Sequence, residues 1–470
     1  MTKLKVSQEA FEEMVTENME TFDMEAEEAL SSAVEELKLQ GADLSGIIQI
    51  APGTKLEEHA VAVATNGLKA MLEKPEIEVV PACEFLDALK DSIASSPDDR
   101  QRDIAVAVGK KFGAIPTMVQ LVETFSEGKG LTEFFSTMET WLTVLSNRQV
   151  FFDAGGVETV MKVLEKCPSA DFHVVTNLAN LAAAASLRFE GNKCRFVDLE
   201  FPFKLHDWIL KDSVPDSTVV AASHAFISFC TPDDPIPPAT HAFQHARLLS
   251  SHDIGKTLMR IIAKKFPDGS SDQQWGQSGE SIAEMLKAVK CLAANDDICK
   301  NLLEDGGVEA CLRIWRGCEG VGFAVATVSG LLRQMSQSDA VKQAIMSSGG
   351  AEILPRCLTI HVKDGSVLEP VLGLMTNIVL RQPNHSVAFC DAGVISGLSD
   401  VLSTHEKDAK VLRQACMCVR NMVSRAFDLR PVFLENDFEE MFRGVKSRHP
   451  KSCGDAASAV LRDLGLDDYH

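Results

Sequence analysis

Apolar residues along this chain return every three or four positions in short runs, and a small recurring break separates the runs. In one such run Val157, Val160, Met161 and Leu164 fall at i, i+3, i+4 and i+7, the pattern of one helical face. An apolar turn of helix precedes it, and a pair of glycines stands between. The same arrangement reads VFFDAGGVETVMKVL at 150–164, NLLEDGGVEACLRIW at 301–315, AIMSSGGAEILPRCL at 344–358 and AFCDAGVISGLSDVL at 388–402. A weaker copy, KFGAIPTMVQLV, occupies 111–122, and a degenerate one, VFLENDFEEMFRGV, occupies 432–445. Gly307, Gly350 and Gly393 are 43 residues apart, and Gly113 and Gly155 are 42 apart. Glycine between two helices permits positive φ, so the chain can turn sharply without a Cβ clash.

A third, longer apolar helix follows each junction: TEFFSTMETWLTVLS at 132–146, GFAVATVSGLLRQM at 322–335 and LRQACMCVRNMVS at 412–424. Three helices in a little over forty residues cannot bury their apolar faces alone, so neighbouring units must stack. The expected fold is all-α, a right-handed superhelical solenoid of about eight three-helix units over 101–470. Capping helices are expected over 56–100, with ACEFLDALKDSIASS at 82–96 covering the first unit, and CGDAASAVLRDLGLDDYH at 453–470 closes the far end.

The periodicity is irregular across 190–285. There KCRFVDLEFPFKLHDWIL (193–210) has Phe201-Pro202 where glycines are expected, and TPDDPIPPATHAFQHARLLSSH (231–252) replaces a tight link. The polar stretch FPDGSSDQQWGQSGES (266–281) reads as a long loop. Ahead of the repeats, 1–55 predicts two helices. One runs over 7–22 with Phe11, Met14, Val15 and Phe22 on one side, the other over 24–39 with Leu30, Ala33, Val34 and Leu37.

Charge changes the picture at the N-terminus. The net charge is −21, and residues 1–60 hold fourteen Asp/Glu against four Lys. Such a field repels nucleic acid, so no nucleic-acid partner is expected. The start MTKLKVSQEAFEE lacks the apolar core of a secretory signal, and no run approaches the roughly 20 apolar residues of a membrane helix. No membrane association is expected. Thirteen cysteines without a C-x-x-C pair fit free, buried thiols in a reducing compartment. No phosphate-binding loop, dinucleotide fingerprint or nucleophile elbow is present, so neither catalysis nor a cofactor is expected.

The segments KVSQEAFEEMVTENMETFDMEAEEALSSAVEELKLQGADLSGIIQIAP, TPDDPIPPATHAFQHA, LAANDDICKNLLEDGGVE, RQPNHS and QACMCVRNMVSRAFDLRPVFLENDFEEMFRGVKSRH, with the glycine junctions, resemble the armadillo repeat superfamily. The resemblance implies a repeat protein of the cytoplasm or nucleus; from the solenoid itself, a monomeric non-catalytic scaffold that binds partner proteins is expected. The resemblance further implies a concave groove lined by third helices, where a ladder of amides can grip an extended segment. Aligned on the glycines, Thr140, Cys291, Gln334, Asn377 and Asn421 share one helix position, so Gln334, Asn377 and Asn421, with Arg420 beside them, are the groove candidates. The paired Trp and Asn of nuclear-import adaptors are missing, since Leu145 follows Trp141 one turn later.

A second candidate is the edge loop with Asp233, Asp234, His241 and His245. Histidines at i and i+4 share a helical face and suit a metal, but no third ligand is evident, so no metal is expected. A structural use is expected instead: the acids cap the helix after Pro237-Pro238, and the imidazoles bond across the loop. The acidic N-terminal helices offer an alternative role, shielding a basic client as an assembly aid.

Overall fold

Residues with strong helical periodicity and glycine or acidic punctuation form helices almost throughout the described residues. The computed structural model describes residues 4–44, 46–75, 77–125, 129–168, 171–234 and 240–466. The fold is all-α apart from a two-residue parallel bridge that pairs Leu4–Lys5 with Ala42–Asp43. Contacts divide the chain into two compact units, Met1–His241 and Ala242–His470.

The first unit opens with a helical hairpin, Gln8–Thr21 and Ala26–Leu39. Phe11, Val15, Ala29, Leu30, Ala33, Val34 and Leu37 pack with Leu44 and Ile47 as a small core of their own. Ser7 caps the first helix by accepting from the Ala10 N–H, and Gln8 grips both backbone groups of Ile48 with its amide. Phe22 does not join this core. It lies just past the helix end at 63% exposure, because the chain reverses there through Asp23 at positive φ.

Helices Ala60–Leu72 and Val79–Ala94 lead into three repeats. These are Asp99–Phe112, Ala114–Val122 and Lys129–Leu142; Leu145–Asp153, Gly156–Lys166 and Phe172–Ser186; and Glu190–Asp198, Phe201–Ile209 and Asp216–Phe229. The second unit, described by itself, holds five. They begin with Ala242–Ser250, Ile254–Lys265 and Asp272–Leu292, then Asp296–Glu304, Gly307–Gly317 and Gly322–Met335. Next come Asp339–Ile345, Ala351–Ile360 and Gly365–Val379, then Pro383–Asp391, Val394–Thr404 and Ala409–Val423, and finally Arg430–Leu434, Phe438–Arg448 and Gly454–Asp463. Within each unit, successive third helices pack against one another and carry the core.

Every junction between first and second helices turns on one left-handed residue. These are Gly113, Gly155, Glu200, Asp253, Gly306, Gly349, Gly393 and Asp437, with φ from 58° to 90°. The irregular repeats thus keep the turn and lose only the glycine. In the third repeat Glu200 takes it, not Phe201-Pro202, and Pro202 sits in the first turn of the next helix, where a missing N–H costs nothing. In a Gly-Gly pair the first glycine turns the chain. The second is needed for space: a Cβ on Gly307 would stand 2.7 Å from the Leu302 carbonyl oxygen.

The stretch expected as a long loop at 266–281 is instead mostly helix, with Asp272–Leu292 running 21 residues. Trp275 decides this. Its ring is 6% exposed and packs edge-on against Phe266 and Phe323, while Gly279 one turn later leaves room for the indole. One buried aromatic anchors an otherwise polar helical start, and burial of that much apolar surface outweighs the glycines' weak propensity.

Helix C-termini leave carbonyls without intrahelical partners. Buried cations of the first helices satisfy several of them at the end of the third helix of the same repeat. Arg148 donates to the Leu187 carbonyl, Lys193 to that of Thr231 at 2.5 Å, and Lys342 to that of Leu380 at 3.2 Å. In the second unit a parallel row runs along the second helices, where Nε2 of His361, His405 and His449 donates to the carbonyls of Glu319, Val362 and Glu406 at 2.7–2.8 Å. All thirteen cysteines are free, nine of them buried. No single described helix is long and apolar enough to cross a membrane.

Candidate functional site

In the second unit, three of the five third helices place an amide at their last turn. Gln334 Nε2 donates to the Ala293 carbonyl at 2.8 Å, Asn377 Nδ2 to that of Arg333 at 3.0 Å, and Asn421 Nδ2 to that of Thr376 at 3.0 Å. Each therefore ties its own helix to the end of the preceding third helix. In the first unit other donors do the same work: Trp141 Nε1 reaches the Leu89 carbonyl at 2.9 Å, and Ser228 Oγ that of Ala183 at 3.1 Å. This explains why Trp141 lacks an Asn partner, since its indole N–H is already spent on the backbone inside the core.

Each amide remains half-buried and carries a second N–H and an oxygen that can accept. A base precedes two of them, Gln334 and Asn421, whereas Thr376 precedes Asn377. Arg333 lies flat over Gly373 of the next third helix, whose Cβ would fall 2.5 Å from the guanidinium, and pairs with Glu369 at 3.2 Å. Arg420 pairs with Asp463 at 3.2 Å, and Lys290, adjacent to Cys291, is exposed. The sequence named Arg420 beside the amides but not Arg333 or Lys290, which lie at the same position one residue earlier; before Asn377 that position is Thr376. In the first unit the equivalent face carries Glu139, whose carboxyl burial pushes up to about 7, and Asn180, a half-buried amide that the alignment did not reach.

The edge loop is held from the other direction. Asp233 forms an ion pair with the fully buried Lys193 and accepts from the Arg188 N–H at 3.0 Å, while Asp234 accepts from the Glu190 N–H at 2.7 Å. The acids do cap a helix, but it is Glu190–Asp198, one repeat earlier than expected. The reason is that unpaired N–H groups at that helix start face the loop. Pro237-Pro238 lie outside the described residues. The two histidines do not share a helical face. His241 precedes the helix that begins at Ala242, whereas His245 lies inside it at 6% exposure.

His241 stands instead beside Glu190 and Cys194, which occupy i and i+4 of Glu190–Asp198. Its Nδ1 lies 3.5 Å from Cys194 Sγ and 3.3 Å from Glu190 Oε1, and Cys194 Sγ lies 3.9 Å from the same oxygen. The His241 backbone N–H also donates to Glu190 Oε1 at 2.6 Å, and Thr240 Oγ1 to Oε2 at 3.4 Å. In RGVKSRHPK at 443–451, Arg443 pairs with Glu439 at 2.9 Å and Arg448 with Glu406 at 3.5 Å.

Comparison with known proteins adds the following. Residues 3–65, the hairpin and its exit, match the family described as the armadillo repeat-containing protein 6 N-terminal domain. The chain is 26% identical over 403 residues to armadillo repeat-containing protein 6 of Homo sapiens, covering 82% of this chain and 76% of that protein. It is 24% identical over 391 residues to the armadillo repeat-containing protein 6 homolog of Drosophila melanogaster, covering 83% and 80%. The crystal structure of an engineered protein matches with a TM-score of 0.68 at 18% identity, over 97% of this chain and 99% of that one, a likeness of fold.

Proposed function

We propose that this chain, an armadillo-type repeat protein similar over most of its length to armadillo repeat-containing protein 6, is a non-catalytic scaffold holding an extended partner segment along the third helices of its second unit. Proteins of this fold generally bind other proteins. The observation that carries the reading is the row of half-buried amides Gln334, Asn377 and Asn421, two of which follow a basic residue, Arg333 and Arg420, with Lys290 at the matching position one repeat earlier. An amide can accept from and donate to a peptide backbone, while a guanidinium favours carboxylates. The partner segment is therefore extended and acidic, against a chain whose total charge is −21.

The test is affinity purification of the full chain with mass spectrometry, comparing wild type with Lys290→Ala/Arg333→Ala/Arg420→Ala and with Asn377→Ala/Asn421→Ala. Loss of the same protein from both variants, recovered in vitro as salt-sensitive binding of its acidic segment, is the expected result. A full complement of partners on the triple variant would overturn the reading.

The helix Gln8–Thr21 favours a second role. It exposes Glu9, Glu12, Glu13, Glu17 and Glu20, a face suited to a basic client. Removing residues 1–55 would then abolish capture of basic proteins while leaving the acidic-segment partner bound.

A further inference from the structure

We infer that Glu190, Cys194 and His241 form a binding site for a divalent cation of the zinc class. The three donors come from two places far apart in sequence, the first turns of Glu190–Asp198 and the end of the edge loop. Their contact is made only by the stacking of that helix against the loop. Carboxylate, thiolate and imidazole are the three donor types zinc takes, at bond lengths of about 2.0–2.3 Å. A tetrahedral ion with such bonds holds its ligand atoms roughly 3.3–3.6 Å apart. Here the sides of the triangle are 3.3, 3.5 and 3.9 Å, so an ion fits above it after a shift of a few tenths of an ångström in one side chain.

The surroundings support the same reading. Glu190 is oriented by the His241 N–H and Thr240 hydroxyl, and its own N–H is held by Asp234, the type of outer contact that fixes a metal ligand in place. Lys193 Nζ lies 3.8 Å from Glu190 Oε2, but its charge is matched by Asp233 in an ion pair. Burial, together with the carboxylates of Glu190 and Asp198, pushes the Cys194 thiol up to about 11, so the sulfur is protonated until a cation arrives. Coordination then releases that proton to solvent and leaves the thiolate bonded to the ion. His241 is 54% exposed on its side chain, which opens the remaining coordination position outward, to water or to a donor from a bound protein.

The bland alternative is a thiol that donates a hydrogen bond to an imidazole beside a capping glutamate. Cobalt separates the two. Full-length protein is stripped with a chelator and titrated with Co2+, reading the near-ultraviolet band that only a thiolate–cobalt bond produces, and then with Zn2+ to displace it. The expected result is saturation at about one Co2+ per chain. The band should vanish in Cys194→Ser, and Co2+ should bind at least about tenfold more weakly in His241→Gln and Glu190→Gln. No thiolate band in the wild type, or a band that survives in Cys194→Ser, overturns the site. Should Cys194→Ser fail to fold by circular dichroism, His241→Gln at its exposed position decides: affinity unchanged from wild type rejects the proposal.

Discussion

Asn377 donates its side-chain N–H to the backbone carbonyl oxygen of Arg333 at 3.0 Å, joining the last turns of two successive third helices. The carbonyl lies at a helix end, where it also accepts from the Ser336 hydroxyl at 2.8 Å, so the amide adds a bond between helices to one made within the turn. Asn377→Ala should lower unfolding free energy by about 1–2 kcal/mol. Asn377→Asp should cost more, because a carboxylate facing a carbonyl has no proton to donate. Urea denaturation of the second unit's transition measures both, and equal stability for Asp and Asn at this position would remove the clamp.

Lys193 has no exposed surface, and its ammonium is held by Asp233 and the Thr231 carbonyl. Removing only Asp233 leaves the buried cation with the more distant Glu190 Oε2, at 3.8 Å, as its carboxylate. Asp233→Ala is expected to cost about 3–5 kcal/mol. Lys193→Met combined with Asp233→Asn should recover a large part of that loss, as a double-mutant cycle by thermal or chemical unfolding would show.

Glu139 is held at about 7 by burial, well above its ordinary value of 4.5. Between these values the folded state keeps a proton that the unfolded chain has released. Stability from this group is therefore lost as pH rises from about 4.5 to 7, then stays flat. Glu139→Gln should gain on the order of 1–2 kcal/mol over wild type at pH 8, the full shift being discounted for partial exposure, and nothing at pH 4. Melting temperatures across that range check the sign.

Glu200 turns the third repeat at φ 61°, where its seven counterparts include five glycines. A left-handed residue with a Cβ is strained, and glycine relieves it at some cost in unfolded-state entropy. Glu200→Gly is expected to stabilise by about 0.5–1 kcal/mol, raising the melting temperature. A lower melting temperature would show that the glutamate side chain contributes more than the turn costs.

The repeat plan was legible along the chain because two signals agree: helical spacing of apolar residues, as in Val157, Val160, Met161 and Leu164, all buried, and glycine at the turn. Where one signal failed, reading became harder. Glu200, Asp253 and Asp437 make the same turn as glycine, but nothing in an acidic residue announces positive φ. Trp275 reversed the loop expected at 266–281, since its burial against Phe266 and Phe323 is a long-range fact that local polarity conceals. At the groove, amide spacing located Gln334, Asn377 and Asn421 but not the carbonyls they bind, 41–45 residues upstream.

By itself the sequence determined the element type and the three-helix period, because helix propensity, apolar spacing and turn chemistry are all local properties. Only the tertiary structure decided which donors meet which acceptors. The contact of His241 with Glu190 and Cys194 spans 47–51 residues, and the capping of Glu190–Asp198 by Asp233 and Asp234 comes from 44–45 residues downstream. Such meetings depend on the rise and rotation from one repeat to the next, which arise from packing across the interface between them and leave no periodic mark along the chain.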